Sequence, residues 1–92
     1  MDRIKKVFDQ QSKVFIAYIT AGYPSLDDTL EIMKILTQNG VDIIELGMPF
    51  SDPMAEGPVI QRAIQRALQA GTTLDDVFQV AGTLRERHPT VP

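Results

Sequence analysis

The chain has 92 residues, no cysteine, 23% charged residues and a formal net charge of −3. That length admits one small domain, near the lower limit for a self-sufficient core. Scattered Lys and Arg disfavour nucleic-acid binding, which takes a basic stripe. The lack of cysteine excludes a disulfide framework and a thiolate metal site.

The start, Met1 to Lys6, is basic, but Val7-Phe8-Asp9-Gln10-Gln11 follows in place of an apolar run, so it does not read as a signal peptide. No stretch approaches the roughly 18 apolar residues of a membrane span. The expected location is the cytoplasm. Residues 2–10 suit a short amphipathic helix with Ile4, Val7 and Phe8 on one face. Val14 to Ile19 is a continuous apolar run, the pattern of a parallel strand buried on both faces. Gly22 and Pro24 end it.

Ser25 is placed to cap a helix, with Asp28 as its capping-box partner. Leu30, Met33 and Leu36, flanked by Ile32 and Ile35, give that helix a wide apolar face, and Gly40 closes it. Val41 to Gly47 reads as a second strand. Alternation puts Val41, Ile43 and Glu45 on one face and Asp42, Ile44 and Leu46 on the other. Met48 to Pro58 is a loop stiffened by Pro49, Pro53 and Pro58. A helix is expected over 59–70, stopped at Gly71. Thr72 or Thr73 then caps a further helix to about Arg87, with Leu74, Val77, Phe78, Ala81 and Leu84 as its apolar set. Thr90-Val91-Pro92 resembles the start of another strand. Strands alternating with helices argue for parallel βαβ units in one domain, without internal boundary over 1–92.

The chemistry concentrates in strand two and its loop. Glu45 lies near the carboxyl end of an apolar strand, where burial is costly unless the carboxylate is paired or protonated. One reading pairs it with a Lys or Arg elsewhere; the other makes it functional, because barrel strands carry catalytic groups at that rim. Gly47 lets the chain leave the strand with any φ. Asp52 suits a turn cap as well as a pocket role. Glu45 and Glu56, one on the strand and one on the loop, are a pair that can divide acid and base roles.

The run Ile44-Glu45-Leu46-Gly47-Met48-Pro49-Phe50-Ser51-Asp52-Pro53-Met54-Ala55-Glu56-Gly57-Pro58 resembles the signature of the tryptophan synthase alpha chain family. Phe15-Ile16-Ala17-Tyr18-Ile19-Thr20-Ala21-Gly22-Tyr23-Pro24 is similar to that family's first strand and turn. Gly57-Pro58-Val59-Ile60-Gln61 and Ala70-Gly71-Thr72-Thr73 match the stretch after its loop, so the likeness runs from about Ile4 to Pro92.

The resemblance implies a (β/α)8 TIM barrel, of which these residues form the first β/α units, an incomplete barrel. It implies retro-aldol cleavage of indole-3-glycerol phosphate to indole and glyceraldehyde 3-phosphate, with no cofactor and no metal. Glu45 falls at the general acid/base position. Glu56 falls where most of the family has Asp, bonded to the indole N–H; the extra methylene is the main departure. Tyr18 falls beside the indole ring, though it also suits a barrel-filling aromatic, and Thr20 is placed to orient the loop. Pro49 and Asp52 fall at loop positions that face the beta chain in an alpha2beta2 complex. Met48, Phe50 and Met54 suit either that contact or packing beneath the loop. The family barrel is about 250 residues long, with phosphate held by late loops. These 92 residues alone are therefore expected to be inactive.

Two rival readings remain. One is a non-catalytic fragment that self-associates or binds a partner through open sheet edges. The other is a different phosphate-handling barrel enzyme, although neither strand end carries the lysine that a Schiff-base aldolase needs. Nucleic-acid and membrane partners are not expected.

Overall fold

The structure, a computed structural model, describes residues 2–50 and 57–92. Six elements follow in order: α1 (Asp2–Gln10), β1 (Ile16–Thr20), α2 (Leu26–Gln38), β2 (Ile43–Gly47), α3 (Pro58–Gln69) and α4 (Leu74–Arg87). β1 and β2 pair in parallel, with Ile16 opposite Ile43, Tyr18 opposite Glu45 and Thr20 opposite Gly47. The intervening α2 is the crossover that a parallel pair requires.

Local chemistry sets the helix ends. Ser25 is extended, and its hydroxyl accepts from the Asp28 N–H at 3.0 Å and donates to the Asp28 carboxylate at 2.9 Å. The Asp28 side chain thus takes the Ser25 hydroxyl rather than the backbone N–H of a reciprocal capping box. That box forms at α4. There Thr73 N–H donates to the Asp76 carboxylate at 2.8 Å, and Asp76 N–H to the Thr73 hydroxyl at 3.2 Å. Thr73 is therefore the cap, and Thr72 is buried instead.

The core lies between the sheet and helices α2 and α4. Met33, Val41, Ile44, Val80 and Leu84 form its buried centre, with Ala17, Ile19, Leu30, Leu36 and Leu46 packed around it. Even positions of β2 and odd positions of β1 thus face the helices. The opposite face carries Ile16, Tyr18, Ile43 and Glu45, of which Ile43 is buried and the other three are exposed. Ile16 is 45% and Tyr18 41% exposed, so this face of β1 is open at both residues.

Four further expectations are corrected. The strands begin at Ile16 and Ile43 rather than at 14 and 41. Val41, outside the pleat, escapes the alternation and joins Ile44 in the core rather than Ile43 and Glu45. Asp42 beside it faces the 11–15 connection; its carboxylate accepts from the Phe15 N–H at 2.8 Å and from the Gln11 amide at 2.9 Å. In α4 the buried stripe is Val77, Val80 and Leu84, while Leu74 and Phe78 are exposed. The face is set by where α2 and the sheet lie, about a sixth of a turn from the set the sequence suggests. In α1, Ile4 and Phe8 are exposed and no residue is buried. Its Arg3 side chain donates to the Pro89 carbonyl at 2.9 Å, and Val7 is half-buried.

Candidate functional site

The carboxyl ends of β1 and β2 bring Tyr18, Thr20, Glu45 and Gly47 together, because a parallel sheet puts both strand ends on one side. Glu45 projects from the open face, two residues before the end of β2. Among the described residues it has no hydrogen bond and no ion pair; the ion pair present there is Lys5–Asp9, on the surface of α1. The described residues thus offer no lysine or arginine that would make Glu45 a structural charge.

Tyr18 is the lateral neighbour of Glu45 across the sheet. Its phenol reaches over β2. A Cβ built on Gly47 would collide with the Tyr18 hydroxyl, Cζ and Cε2. Gly47 does not have a positive φ; among the described glycines that conformation belongs to Gly22, Gly40 and Gly71. The requirement for glycine at 47 is therefore one of space and not, as expected from the sequence, of backbone freedom.

Thr20 is buried at the end of β1, and its carbonyl accepts from the Tyr23 N–H at 3.2 Å. The turn that follows is tightly built. Gly22 has φ +87°, and its N–H donates to the buried Thr29 hydroxyl at 3.0 Å. The Thr29 hydroxyl donates in turn to the Ser25 carbonyl at 2.8 Å. Thr72 packs against Gly22 where a side chain would otherwise stand. α3 also packs on β1, burying Ile64 and Ala67. The turn after β1 and the segment after β2 are therefore braced against each other, a connection the sequence reading missed.

Pro49 is half-buried just past β2, and Phe50 beside it is exposed. Asp52, Met54 and Glu56 lie outside the described residues. No group of His, Asp or Glu suited to a metal ion occurs among the described residues. Among the described residues no helix is long and apolar enough to cross a membrane. A cavity of about 560 Å³ lies at the other end of the sheet, between α1 (Arg3, Lys6, Gln10), Asp42 and residues 89–92. Glu45 is not among the residues that line it.

The family model described as "Tryptophan synthase alpha chain" matches residues 4–92. Similar curated proteins carry the same description. One from Zymomonas mobilis is 51% identical over 96 residues, covering 100% of this chain and 35% of that protein. One from Neisseria meningitidis is 50% identical, covering 100% and 36%. The crystal structure of tryptophan synthase subunit alpha from Legionella pneumophila superposes with a TM-score of 0.89 at 43% identity, over 99% of this chain and 35% of that one. A ligand-free tryptophan synthase from Mycobacterium tuberculosis gives 0.81 at 36% identity, over 85% and 33%. The chain spans about a third of the length of the relatives it matches, and the solved structures are (β/α)8 barrels of which its parallel unit is a part.

Proposed function

Because the chain belongs to the tryptophan synthase alpha chain family, we propose that its residues form the acid/base wall of a barrel lyase that cleaves indole-3-glycerol phosphate. The observation that carries this reading is Glu45: a carboxylate without a charged partner among the described residues, at the carboxyl end of a parallel strand, on the face turned away from the helices. In (β/α)8 barrels that end is where chemistry is done.

The reaction makes three demands. Indole is a poor carbon leaving group, so C3 must take a proton; this places positive charge on the ring nitrogen. The hydroxyl on the adjacent side-chain carbon must lose its proton as the carbon–carbon bond breaks and the aldehyde forms. The electrons of that bond return to the ring and restore neutral indole. Glu45, projecting into the space above the sheet, serves both proton transfers, each worth on the order of 10²–10⁴-fold. Glu56 holds the ring N–H; its assignment rests on sequence likeness. Tyr18 borders the indole, and Thr20 supports the rim. Pro49 and Asp52 belong to the contact with the beta chain, which receives the indole.

The test is indole release by a chimera in which residues 4–92 replace the matching third of the Legionella pneumophila alpha chain, with and without beta chain. Activity near that of the parent, lost by more than about 10²-fold in Glu45→Gln, supports the reading. An active chimera indifferent to Glu45→Gln overturns it.

A further inference from the structure

The placement of the Tyr18 ring says more than that an aromatic lines the site. Tyr18 starts level with Glu45 on the neighbouring strand, and its hydroxyl end stands where a Gly47 side chain would be. Glu45 and Gly47 are two residues apart, so they share a face. The ring therefore runs diagonally, from beside Glu45 on the β1 flank to beyond it on the carboxyl-end flank. Strand side chains stand roughly perpendicular to the sheet and lean along the strand. The phenol thus stands on the carboxyl-end side of Glu45 and the body of the ring on its β1 side.

We propose that Tyr18, seated in the slot that Gly47 leaves open, is a positioning residue that holds the Glu45 carboxylate upright, off the sheet and into the space where substrate would lie. The ring is the acting part and the hydroxyl is dispensable. Gly47 matters through Tyr18 alone, because its backbone is not left-handed and accepts alanine without strain. The inference rests on the acid/base reading of Glu45 for its catalytic meaning, but the geometry it asserts does not.

The experiment separates the two. Side-chain couplings of Glu45, measured by NMR in the 92-residue chain, report its χ1 distribution. One rotamer should dominate in the parent and in Tyr18→Phe. Tyr18→Ala and Gly47→Ala should both give averaged couplings, the first by removing the ring and the second by pushing it aside. The double variant should match Tyr18→Ala alone. With Tyr18 41% exposed, its truncation leaves the core intact. In the chimera, kcat for indole release should fall about tenfold in Tyr18→Ala and in Gly47→Ala, without addition in the double variant, and hold within about twofold in Tyr18→Phe. An averaged Glu45 in the parent, a fixed Glu45 in Tyr18→Ala, or an effect of Gly47→Ala that persists without Tyr18 overturns the proposal. Full activity of Glu45→Gln sinks the acid/base reading and leaves the rotamer result standing.

Discussion

The backbone N–H of Ile44 donates to the Pro92 carbonyl at 3.0 Å. Ile43 N–H points the other way, to Phe15 beside β1, so the Ile44 bond lies on the outer edge of β2. It is the contact that a third parallel strand makes as it begins. The segment is held there by Arg85, whose guanidinium donates to the carbonyls of Val91 at 2.8 Å and Pro89 at 3.1 Å.

If Arg85 holds residues 89–92 against that edge, Arg85→Met should loosen them while keeping the apolar stem. The Ile44 amide should then exchange with solvent several-fold faster, and Ile43, bonded on the β1 side, should change little. Equal protection of Ile44 before and after the substitution would show that the Arg85 bonds do not hold the edge. Hydrogen exchange followed by NMR reads both amides in one experiment.

Gly22 and Gly71 share a φ of +87° and differ in surroundings. Alanine at 71 meets nothing within 4 Å, so it should cost only the left-handed penalty of about 1–2 kcal/mol. Alanine at 22 would strike the buried Thr72 side chain, adding an overpacking cost of about 1–3 kcal/mol. Urea unfolding of the two variants should therefore rank Gly22→Ala clearly below Gly71→Ala. Equal midpoints would mean that Thr72 yields without cost.

These positions show what the sequence could and could not tell. Ser25, Thr73, Gly40 and Gly71 mark helix ends by chemistry confined to a few residues, and the helices fall within about a residue of where those signals put them. The face of α4 was not legible: Val77, Phe78, Val80, Ala81 and Leu84 offer two overlapping apolar stripes, and only the position of α2 and the sheet selects Val80 over Phe78. Val41 misled because alternation holds only inside the pleat, which starts at Ile43. Glu45 and Tyr18 could each be singled out from strand pattern and family likeness, but their pairing could not. It depends on the register between strands separated by a whole helix. Gly47 looked like a hinge because sequence does not distinguish a glycine needed for φ from one needed for room.

Thr29 is fully buried and engaged twice, accepting from Gly22 N–H and donating to the Ser25 carbonyl. Thr29→Val keeps the shape but strands the Gly22 donor beneath the surface, at a cost of about 1–3 kcal/mol. Thr29→Ser keeps both bonds and gives up one methyl, about 1 kcal/mol. Chemical denaturation should place the valine variant as the weaker of the two. The reverse order would show that packing, not the hydrogen bonds, fixes this turn.

For Glu56 the expected roles of length and charge can be separated in the chimera. A carboxylate at a ring nitrogen acts by charge and reach, so Glu56→Asp, the residue that the family likeness implies for this position, should keep substantial indole release. Glu56→Ala should lose most of it. An alanine variant as active as the parent would show that Glu56 does not hold the ring nitrogen.

The 92-residue chain by itself should release no indole at an enzymatic rate. Glu45 alone does not make the catalyst. Binding energy from the phosphate, remote from the breaking bond, is what holds such a substrate in register. Barrels of this kind bind phosphate at loops after strands seven and eight, and the described residues form two strands. Its reactive face is also open: Ile16 and Tyr18 are nearly half exposed, so water reaches the space where the indole would sit. A water-filled site weakens the electrostatic stabilisation that an enclosed one supplies. Self-association through the free edge of β1 would cover part of that face, yet it would repeat early strands and bring no phosphate loop. The decisive comparison is indole release by the purified chain, by the chain with beta chain added, and by the chimera, under identical substrate. Turnover by the chain alone that matches the chimera would show that two strands and their rim suffice, and would refute the dependence on remote phosphate binding.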